Sequence, residues 1–349
     1  MLRTGSRLAS LALLLGVSVG LVRPAVAQEG VRVSGLAYLD YFVQLATPDS
    51  AREGLHGFNF RRLYLTADAT LSDAFSARAR LEASDVTLGP RGSTPFVKDL
   101  YLRWRHDSGH GLTLGITSPP VWDVSERVWD FRSLERTLLE LNRVASSRDL
   151  GLRADGPIPV GREGLLRYAV MVGNNEGVFP EDDVSKRVYA QLEVRPAEPL
   201  VFTLGGSLAG YDEDRDDERT GAWDANAFLG YVSDTFRGGV EAFYQQTSFT
   251  DDRALDMAGT SVFGTVWVTP RVGVIGRFDR VRRETFQEVD DGEELPVAGF
   301  ENFATGGVAY SAHEGERGTR VRLIPNVRWA KADDGDSDLQ ARFTAEVSF

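Results

Sequence analysis

The last eleven residues of the chain, 339–349, alternate strictly between apolar and polar side chains. A period of two predicts a β-strand whose two faces meet different surroundings. One face requires lipid or a protein core, and the other requires water. The apolar positions are Leu339, Ala341, Phe343, Ala345, Val347 and Phe349, and the polar ones are Gln340, Arg342, Thr344, Glu346 and Ser348.

This terminal strand fits two kinds of protein. An edge strand of a soluble sandwich would show the same alternation, whereas outer-membrane β-barrels commonly end in an aromatic residue, as this chain does at Phe349. The terminal segment of such barrels is read by their insertion machinery. Phe349 is therefore predicted to be an assembly signal, with the barrel-assembly machinery as a partner.

Composition narrows the classes of protein further. The 349 residues include no cysteine, so neither a disulfide nor a cysteine-based zinc site is expected. The formal net charge of −12 argues against a general nucleic-acid binder, which would present a basic face. A hydrophobic content of 42% is too low for a bundle of transmembrane helices, yet it suits a transmembrane barrel, because only alternate residues face lipid.

The N-terminus has the pattern of a targeting segment. Arg3 and Arg7 precede an apolar run at 8–22, and the small residues Ala25 and Ala27 supply a cleavage pattern. Residues 1–27 are predicted to be a cleaved signal peptide and 28–349 the mature barrel. A membrane-anchoring helix is the alternative, but the run is shorter than a full span.

The rest of the chain contains sixteen strand-like segments, several of which alternate as cleanly as the last. An even number of strands places both termini on the same side of a barrel. The predicted segments are 31–45, 57–71, 75–84, 96–106, 111–117, 148–156, 165–173, 186–195, 200–209, 222–231, 236–246, 260–268, 271–280, 301–310, 319–329 and 339–349.

The connections also alternate in length. Short turns follow even-numbered segments, and longer polar loops follow odd-numbered ones, which is typical of outer-membrane barrels. We therefore predict an all-β fold, a sixteen-stranded antiparallel transmembrane β-barrel. Such a barrel leaves a water-filled lumen in which arginines on the strands stay hydrated. The predicted long loops are 46–56, 85–95, 118–147, 174–185, 210–221, 247–259, 281–300 and 330–338.

The longest of these loops, 118–147, carries a helical pattern. Apolar residues from Trp129 to Leu141 recur mostly every three to five positions and alternate with charged ones. Loops of this length in compact domains are usually functional. We predict a constriction loop folded into the lumen with its charged face towards the channel; an extracellular cap helix is the alternative.

Within 58–176 the chain resembles the phosphate-selective porin O and P family. The resemblance rests on "FNFRRLYLTADATLSDAFSARARLEASD", "VKDLYLRW", the run from "GITSPP" through "ERTLLELN" to "SSRDLGL", and "YAVMVGNNEG", in that order. It implies a trimeric, sixteen-stranded outer-membrane diffusion channel whose third long loop narrows the lumen. Phosphate-specific members line the path with arginines and a lysine cluster, whereas Lys98, Lys186 and Lys331 are the only lysines here and lie far apart.

Charged residues near the predicted loop are the candidate selectivity residues. Arginines bind oxyanions in bidentate fashion, so a column of them would favour anions. Pairing with nearby carboxylates, including Asp99, Glu126 and Asp130, would instead give a general porin. The predicted pore-lining and constriction residues are Arg78, Arg80, Arg103, Arg105, Arg127, Arg132, Glu135, Arg136, Glu140, Arg143, Arg148 and Arg153.

Two further groups of residues have more than one interpretation. The acidic segments 212–218, 290–294 and 333–338 suit solvated extracellular tips, and divalent cation capture next to lipopolysaccharide is the alternative. Aromatic residues flanking the strands suit interfacial girdles, although strand propensity alone would also place them there. The girdle candidates are Tyr38, Tyr41, Trp104, Trp223, Tyr231, Trp267, Trp329 and Phe349.

Enzyme motifs are missing from the sequence. The four histidines form no metal-binding pair such as H-E-x-x-H, and no G-x-S-x-G elbow occurs. We expect no catalysis, metal or cofactor, with a barrel hydrolase as a minor alternative. The sequence predicts an outer-membrane porin for passive diffusion of small hydrophilic solutes or ions. The alternatives are an anion channel for phosphate or another oxyanion, and a plugged barrel with a structural or adhesive role.

Overall fold

The computed structural model describes residues 30–349 apart from 86–87, 90–91, 182–183, 212–217, 289–293, 316–317 and 334. The predicted signal peptide at 1–27 lies outside the described residues. Much of the acidic segments 212–218 and 290–294, and part of 333–338, lies outside them as well.

Sixteen antiparallel strands form one closed barrel, as predicted. Each strand pairs with its sequence neighbours, and the last strand pairs with the first, so that Tyr38 lies opposite Glu346. Closure leaves the barrel sheet without an edge. The strands are β1 Val31–Ala46, β2 His56–Thr70, β3 Phe75–Ser84, β4 Phe96–Arg105, β5 Gly111–Thr117, β6 Asp149–Ile158, β7 Leu166–Gly173, β8 Arg187–Val194, β9 Leu200–Gly210, β10 Arg219–Val232, β11 Phe236–Phe249, β12 Ala254–Thr269, β13 Val272–Glu288, β14 Glu294–Glu314, β15 Arg320–Ala332 and β16 Asp338–Ser348.

The exterior of the barrel is an apolar belt. Alternate residues of each strand point outward, and many of them are large and exposed, such as Leu114 (63%), Val172 (52%) and Leu208 (64%). The intervening residues point into the lumen and are mostly polar. An apolar surface of this extent on a folded chain marks contact with lipid or another protein.

Several strands are longer than the alternation indicates. Segment 260–268 is the later part of β12 (254–269), 271–280 covers the beginning of β13 (272–288), and 301–310 is the middle of β14 (294–314). The predicted loops 247–259 and 281–300 are therefore mostly strand. In 254–259 the inward-facing Met257 is apolar and packs in a buried cluster with the inward loop, so the polar-inside pattern is lost there although the backbone continues to pair.

The long connection between β5 and β6 folds into the lumen, as predicted. It contains α1 (Asp123–Trp129) and α2 (Leu138–Leu141), separated by a non-helical stretch. The helix predicted from the pattern between Trp129 and Leu141 is therefore wrong for most of that range. The apolar residues between the two helices, such as Phe131 and Leu134, are apolar because they pack against the barrel wall. No helix in the described part of the chain is long and apolar enough to cross a membrane.

We call residues 118–148 the inward loop; its apolar side forms two buried clusters with the barrel wall. In the first, Trp122, Leu138 and Leu139 pack with wall residues that include Tyr189 and Phe243. The second joins α1 and the stretch after it to the wall. Its members are Val124, Val128, Trp129, Phe131, Leu134, Val201, Phe228, Phe263, Ile275, Ala309 and Ile324.

Candidate functional site

The inward loop divides the lumen into a packed side and an open side. Its apolar clusters fill the space against inward-facing residues of β7 to β15. The opposite side of the loop faces the inner surfaces of β1, β2, β15 and β16, where two cavities lie. Any path for a solute on this side runs between the charged face of the loop and these strands.

The cavity nearer the long loops has a volume of about 370 Å³. We call it the long-loop cavity. Its described lining includes seven arginines and three carboxylates, and Arg62, Arg132 and Arg328 also pair with carboxylates that lie outside the lining. The arginines are Arg52, Arg61, Arg62, Arg132, Arg136, Arg328 and Arg342, and the carboxylates are Asp40, Asp85 and Glu135.

The cavity nearer the short turns, the short-turn cavity, has a volume of about 350 Å³. Its described lining includes six arginines and three carboxylates. Tyr38 and Arg132 line both cavities, so they lie where the two meet. The arginines are Arg80, Arg127, Arg132, Arg148, Arg320 and Arg322, and the carboxylates are Glu126, Asp130 and Glu346.

Arg132 is held in place by two loop carboxylates. Its guanidinium contacts Glu140 through both terminal nitrogens and lies 2.7 Å from Glu126. Burial alone would raise the pKa of the Glu140 carboxyl, but the charge and hydrogen bonds of Arg132 lower it to about 2. Because this pKa is lowered, the stabilisation from the pair is present above the unfolded value of about 4.3 and is lost only as pH falls towards about 2.

Four wall arginines attach the loop through its backbone. Arg153 donates to the Ser118 carbonyl at 2.8 Å, Arg187 to that of Val144 at 2.8 Å, and Arg322 to that of Asp130 at 2.9 Å. Arg277 donates to the carbonyl of Arg136. We call Arg153, Arg187, Arg277 and Arg322 the anchor arginines. Each also pairs with a carboxylate, which lowers the cost of holding a guanidinium among packed side chains.

The structure places the predicted arginines in different surroundings. On β3 and β4, Arg78 pairs with Asp68 at 2.7 Å and Arg103 pairs with Asp155 at 2.8 Å, and neither lines the two cavities. Arg105 is exposed at the short-turn end of its strand. The predicted residues that line one or both cavities are Arg80, Arg127, Arg132, Glu135, Arg136 and Arg148.

The remaining predicted residues lie behind or beside the open path. Arg153 acts as an anchor arginine, and Glu140 is buried beneath Arg132. Arg143 is exposed in the loop, has a positive φ of 56°, and lines a separate cavity together with Glu140. Charge pairing is thus widespread among these residues, but it is less complete along the long-loop cavity.

Sequence reasoning missed the wall residues opposite the loop. Arg61, Arg62 and Arg342 line the long-loop cavity, and within the described residues Arg342 forms no ion pair and donates to Gln340 at 2.8 Å. The strict alternation of the last strand placed Arg342 on the polar face, and this pattern could have identified it as a residue of the lumen. Tyr38 and Trp267 face inward, so the girdle prediction is wrong for both.

Tyr38→Ala should raise the single-channel conductance, because it removes a ring from the junction of the two cavities. The measurement is open-channel current in a planar bilayer. Tyr41→Ala is the matched control, since Tyr41 lies on the same strand but is 36% exposed on the outer surface. Equal conductance in both variants and the unsubstituted protein would place the narrowest point elsewhere.

Comparisons with solved structures identify the fold. An anion-selective porin from Comamonas acidovorans is similar over 91% of this chain and 99% of its own, with a TM-score of 0.63 at 13% identity. The trimer form of OmpT, an outer membrane protein of Vibrio cholerae, has the same coverage and identity, with a TM-score of 0.62. The outer membrane channel DcaP of Acinetobacter baumannii covers 93% of this chain and 99% of its own, with a TM-score of 0.58 at 12% identity.

At these identities the likeness shows the fold: the chain has the barrel fold of outer-membrane porins. No family model matches the chain, and no curated protein matches it.

Proposed function

We propose that the protein is an outer-membrane porin through which small hydrophilic solutes and ions diffuse passively. The observation that carries this proposal is a closed sixteen-stranded barrel with an apolar exterior and charged cavities along one side of its lumen. Barrels of this strand number are wide enough for an aqueous channel. The fold is shared with an anion-selective porin and an outer membrane channel, which supports the same function.

The cellular setting follows from this function. Residues 1–27 act as a cleaved signal peptide for export, and the barrel lies in the outer membrane with lipid and lipopolysaccharide around it. Three copies assemble into a homotrimer, an arrangement supported by the trimer form of one structural neighbour. The barrel-assembly machinery recognises the strand that ends at Phe349.

The inward loop acts as the constriction. Its packed side fixes its position against the wall, and its charged side faces the two cavities that Arg132 and Tyr38 both line. The aperture is therefore set by the loop rather than by the barrel diameter. A plugged barrel with a structural or adhesive role would require that the two cavities are not connected.

Anion preference is the second candidate function. Seven arginines line the long-loop cavity, and one of them, Arg342, forms no ion pair among the described residues, so its charge is available to favour anions. One structural neighbour is itself an anion-selective porin, which agrees with this preference. The resemblance to the phosphate-selective porin family makes phosphate or another oxyanion a candidate solute.

Recording in a planar bilayer under a KCl gradient tests both candidates. An open channel with a reversal potential on the anion side is expected, and no conductance would contradict the porin. A reversal potential near zero or on the cation side would contradict anion preference while leaving a general porin.

Arg342→Gln should move the reversal potential towards zero, because it removes a cavity cation that has no carboxylate partner among the described residues. The matched control is Arg105→Gln, which removes an exposed arginine at the far end of β4. If both variants shift the potential equally, the effect reflects net charge rather than the cavity.

A further inference from the structure

The outer surface of β13, β14 and β15 carries a row of polar residues at one level of the barrel. Arg280 on β13 pairs with Asn302 on β14, and Asn302 pairs with Lys331 on β15, so the three residues lie side by side. Their chain neighbours Asp279 and Phe303 are buried on the lumen side, which places the row on the outside. We call Arg280, Asn302 and Lys331 the outer basic row.

The row next to it, towards the short turns, is apolar. Phe278 pairs with Ala304, which in turn pairs with Trp329, and Phe278 is 43% exposed. Trp329 was a girdle candidate, and its indole nitrogen donates to the Ser337 hydroxyl at 3.3 Å, so this ring has an apolar body and a polar edge. The apolar belt of these three strands therefore ends directly below the outer basic row, on the side of the long loops.

Arg280 is fixed in position without being neutralised. Its guanidinium carbon lies 4.3 Å from the centroid of the Phe300 ring, and one of its nitrogens donates to the side-chain oxygen of Asn302 at 3.1 Å. The side chain is exposed and forms no ion pair within the described part of the chain. Because a guanidinium has five N–H donors, most of them remain available for a ligand.

Lys331 is also exposed and forms no ion pair with any residue that the structure describes. Carboxylates near the row have other partners: Asp333 accepts from the Asn302 amide at 3.5 Å, and Glu284 lies 2.6 Å from Arg282. Neighbouring strands lie about 4.7–4.9 Å apart, so the backbones of Arg280 and Lys331 are about 10 Å apart. Two long cationic side chains at this separation can contact the head group of one lipid together.

The position of these two charges indicates what they bind. An arginine and a lysine without carboxylate partners lie at the edge of an apolar belt, the level at which lipid head groups begin. Guanidinium contacts phosphate oxygens in bidentate fashion and ammonium contacts them as a point charge, and basic residues at a membrane surface attract anionic lipids. The acyl chains of the same lipid would cover the exposed apolar residues below the row.

We propose that the outer basic row binds the phosphate of a lipid in the leaflet on the long-loop side, such as the lipid A part of lipopolysaccharide. Arg280 and Lys331 contact the phosphate, and the acyl chains lie against Phe278 and the belt below it. This assignment rests on the proposed location of the barrel in the outer membrane. It does not require the barrel to be an open channel.

Native mass spectrometry of the intact barrel in detergent micelles tests the binding, with lipid A carrying both phosphates as the probe. Lipid A with the same acyl chains but no phosphate is the matched lipid. The phosphorylated form is expected to bind about tenfold more tightly, because it adds charge-assisted hydrogen bonds. Equal binding of the two lipids to the unsubstituted protein would overturn the proposal.

A double variant locates the site. Arg280→Gln with Lys331→Gln should remove the preference for the phosphorylated lipid, and both side chains are exposed, so the barrel should still fold and remain heat-modifiable. The matched control is Arg271→Gln, which removes an exposed arginine immediately before β13, at the short-turn end. An unchanged preference in the double variant, or an equal loss in the control, would overturn the proposal.

Two additions separate other sources of the same binding. Inorganic phosphate at the concentration of the lipid should not displace lipid A, and displacement would assign the row to free phosphate instead. EDTA should leave the binding unchanged, and loss of binding would show that a divalent cation bridges lipid and protein. KCl conductance in a planar bilayer is measured separately: its absence would overturn the porin function, whereas the lipid preference still decides the role of the outer basic row.

Discussion

Replacing Arg277 with Gln together with Asp279→Asn should loosen the inward loop and produce frequent openings of higher conductance. Arg277 donates to the loop carbonyl of Arg136 and lies over the ring of Trp129, with 5.2 Å between its guanidinium carbon and the ring centroid. Its own charge is balanced by Asp279, which accepts at 2.9 and 2.6 Å. Changing both residues removes the anchor without leaving a buried carboxylate unpaired.

The size of this effect follows from the lost hydrogen bond. A hydrogen bond from a charged donor contributes about 1.5–3 kcal/mol, so the released state of the loop should become roughly 10- to 100-fold more populated. Single-channel recording at fixed voltage measures the frequency of the larger openings. The more frequent large openings should occur at every voltage at which the unsubstituted channel shows none.

A second wall pair supplies the matched control. Arg78→Gln with Asp68→Asn removes an inward-facing ion pair of 2.7 Å that contacts no carbonyl of the inward loop among the described residues. This variant should conduct as the unsubstituted protein does. If both double variants open equally often, the openings report general weakening of the barrel, and the anchoring role of Arg277 is wrong.

Deleting Phe349 should remove most of the assembled barrel from the outer-membrane fraction. Phe349 and Gly35 exchange two backbone hydrogen bonds, of 2.7 and 3.0 Å, where the last strand meets the first. The Phe349 ring lies against Gly35 so closely that a Cβ at residue 35 would be 2.2 Å from it. Only glycine at position 35 allows the ring to come so close. The Phe349 ring and the start of β1 therefore pack together where the last strand closes the barrel.

The contribution of Phe349 to barrel stability and its role as an assembly signal can be measured separately. Two net hydrogen bonds are worth about 1–3 kcal/mol together, which is too little to prevent refolding of the truncated chain in detergent. Refolding in vitro combined with loss from cell membranes would therefore assign the signal to Phe349. Phe349→Tyr keeps the ring and should assemble normally. Heat-modifiable barrel at the usual level in the truncated chain would contradict the assignment.

Much of the barrel could be predicted because alternation is a local property. Arg78 and Arg80 lie between Ala77, Ala79 and Leu81, and the period of two alone places the arginines inside. Residues 254–259 could not be assigned in this way, because Met257 is apolar at an inward position, where it packs in a cluster with the inward loop, whereas its neighbour Asp256 is polar. The even strand count and the alternating loop lengths were nevertheless sufficient to predict closure.

The charged contacts depend on distances that sequence does not contain. Arg103 and Asp155 are 52 positions apart and meet because their strands are separated by one strand. The anchor arginines Arg277 and Arg322 lie more than 140 positions after the loop carbonyls that they bind. Phe263 and Ile275 are apolar at inward positions, where a polar lining was expected. These residues were the sequence feature that indicated packing of the loop against β12 and β13.

Because the inward loop packs against only one side of the barrel, the strands that hold the loop differ from the strands that line the open lumen. Strands β7 to β14 carry most of the dry interior that fixes the loop, whereas β1, β2 and β16 meet the open lumen and hold little packed apolar surface there. Substitution of Arg342, which forms no ion pair among the described residues, can change which ions or solutes are favoured with little effect on folding. Asp40 and Glu346, in contrast, hold buried ion pairs with Arg61 and Arg322. A library restricted to those inward positions of β1, β2 and β16 that hold no buried ion pair would thus explore new selectivities on an unchanged scaffold.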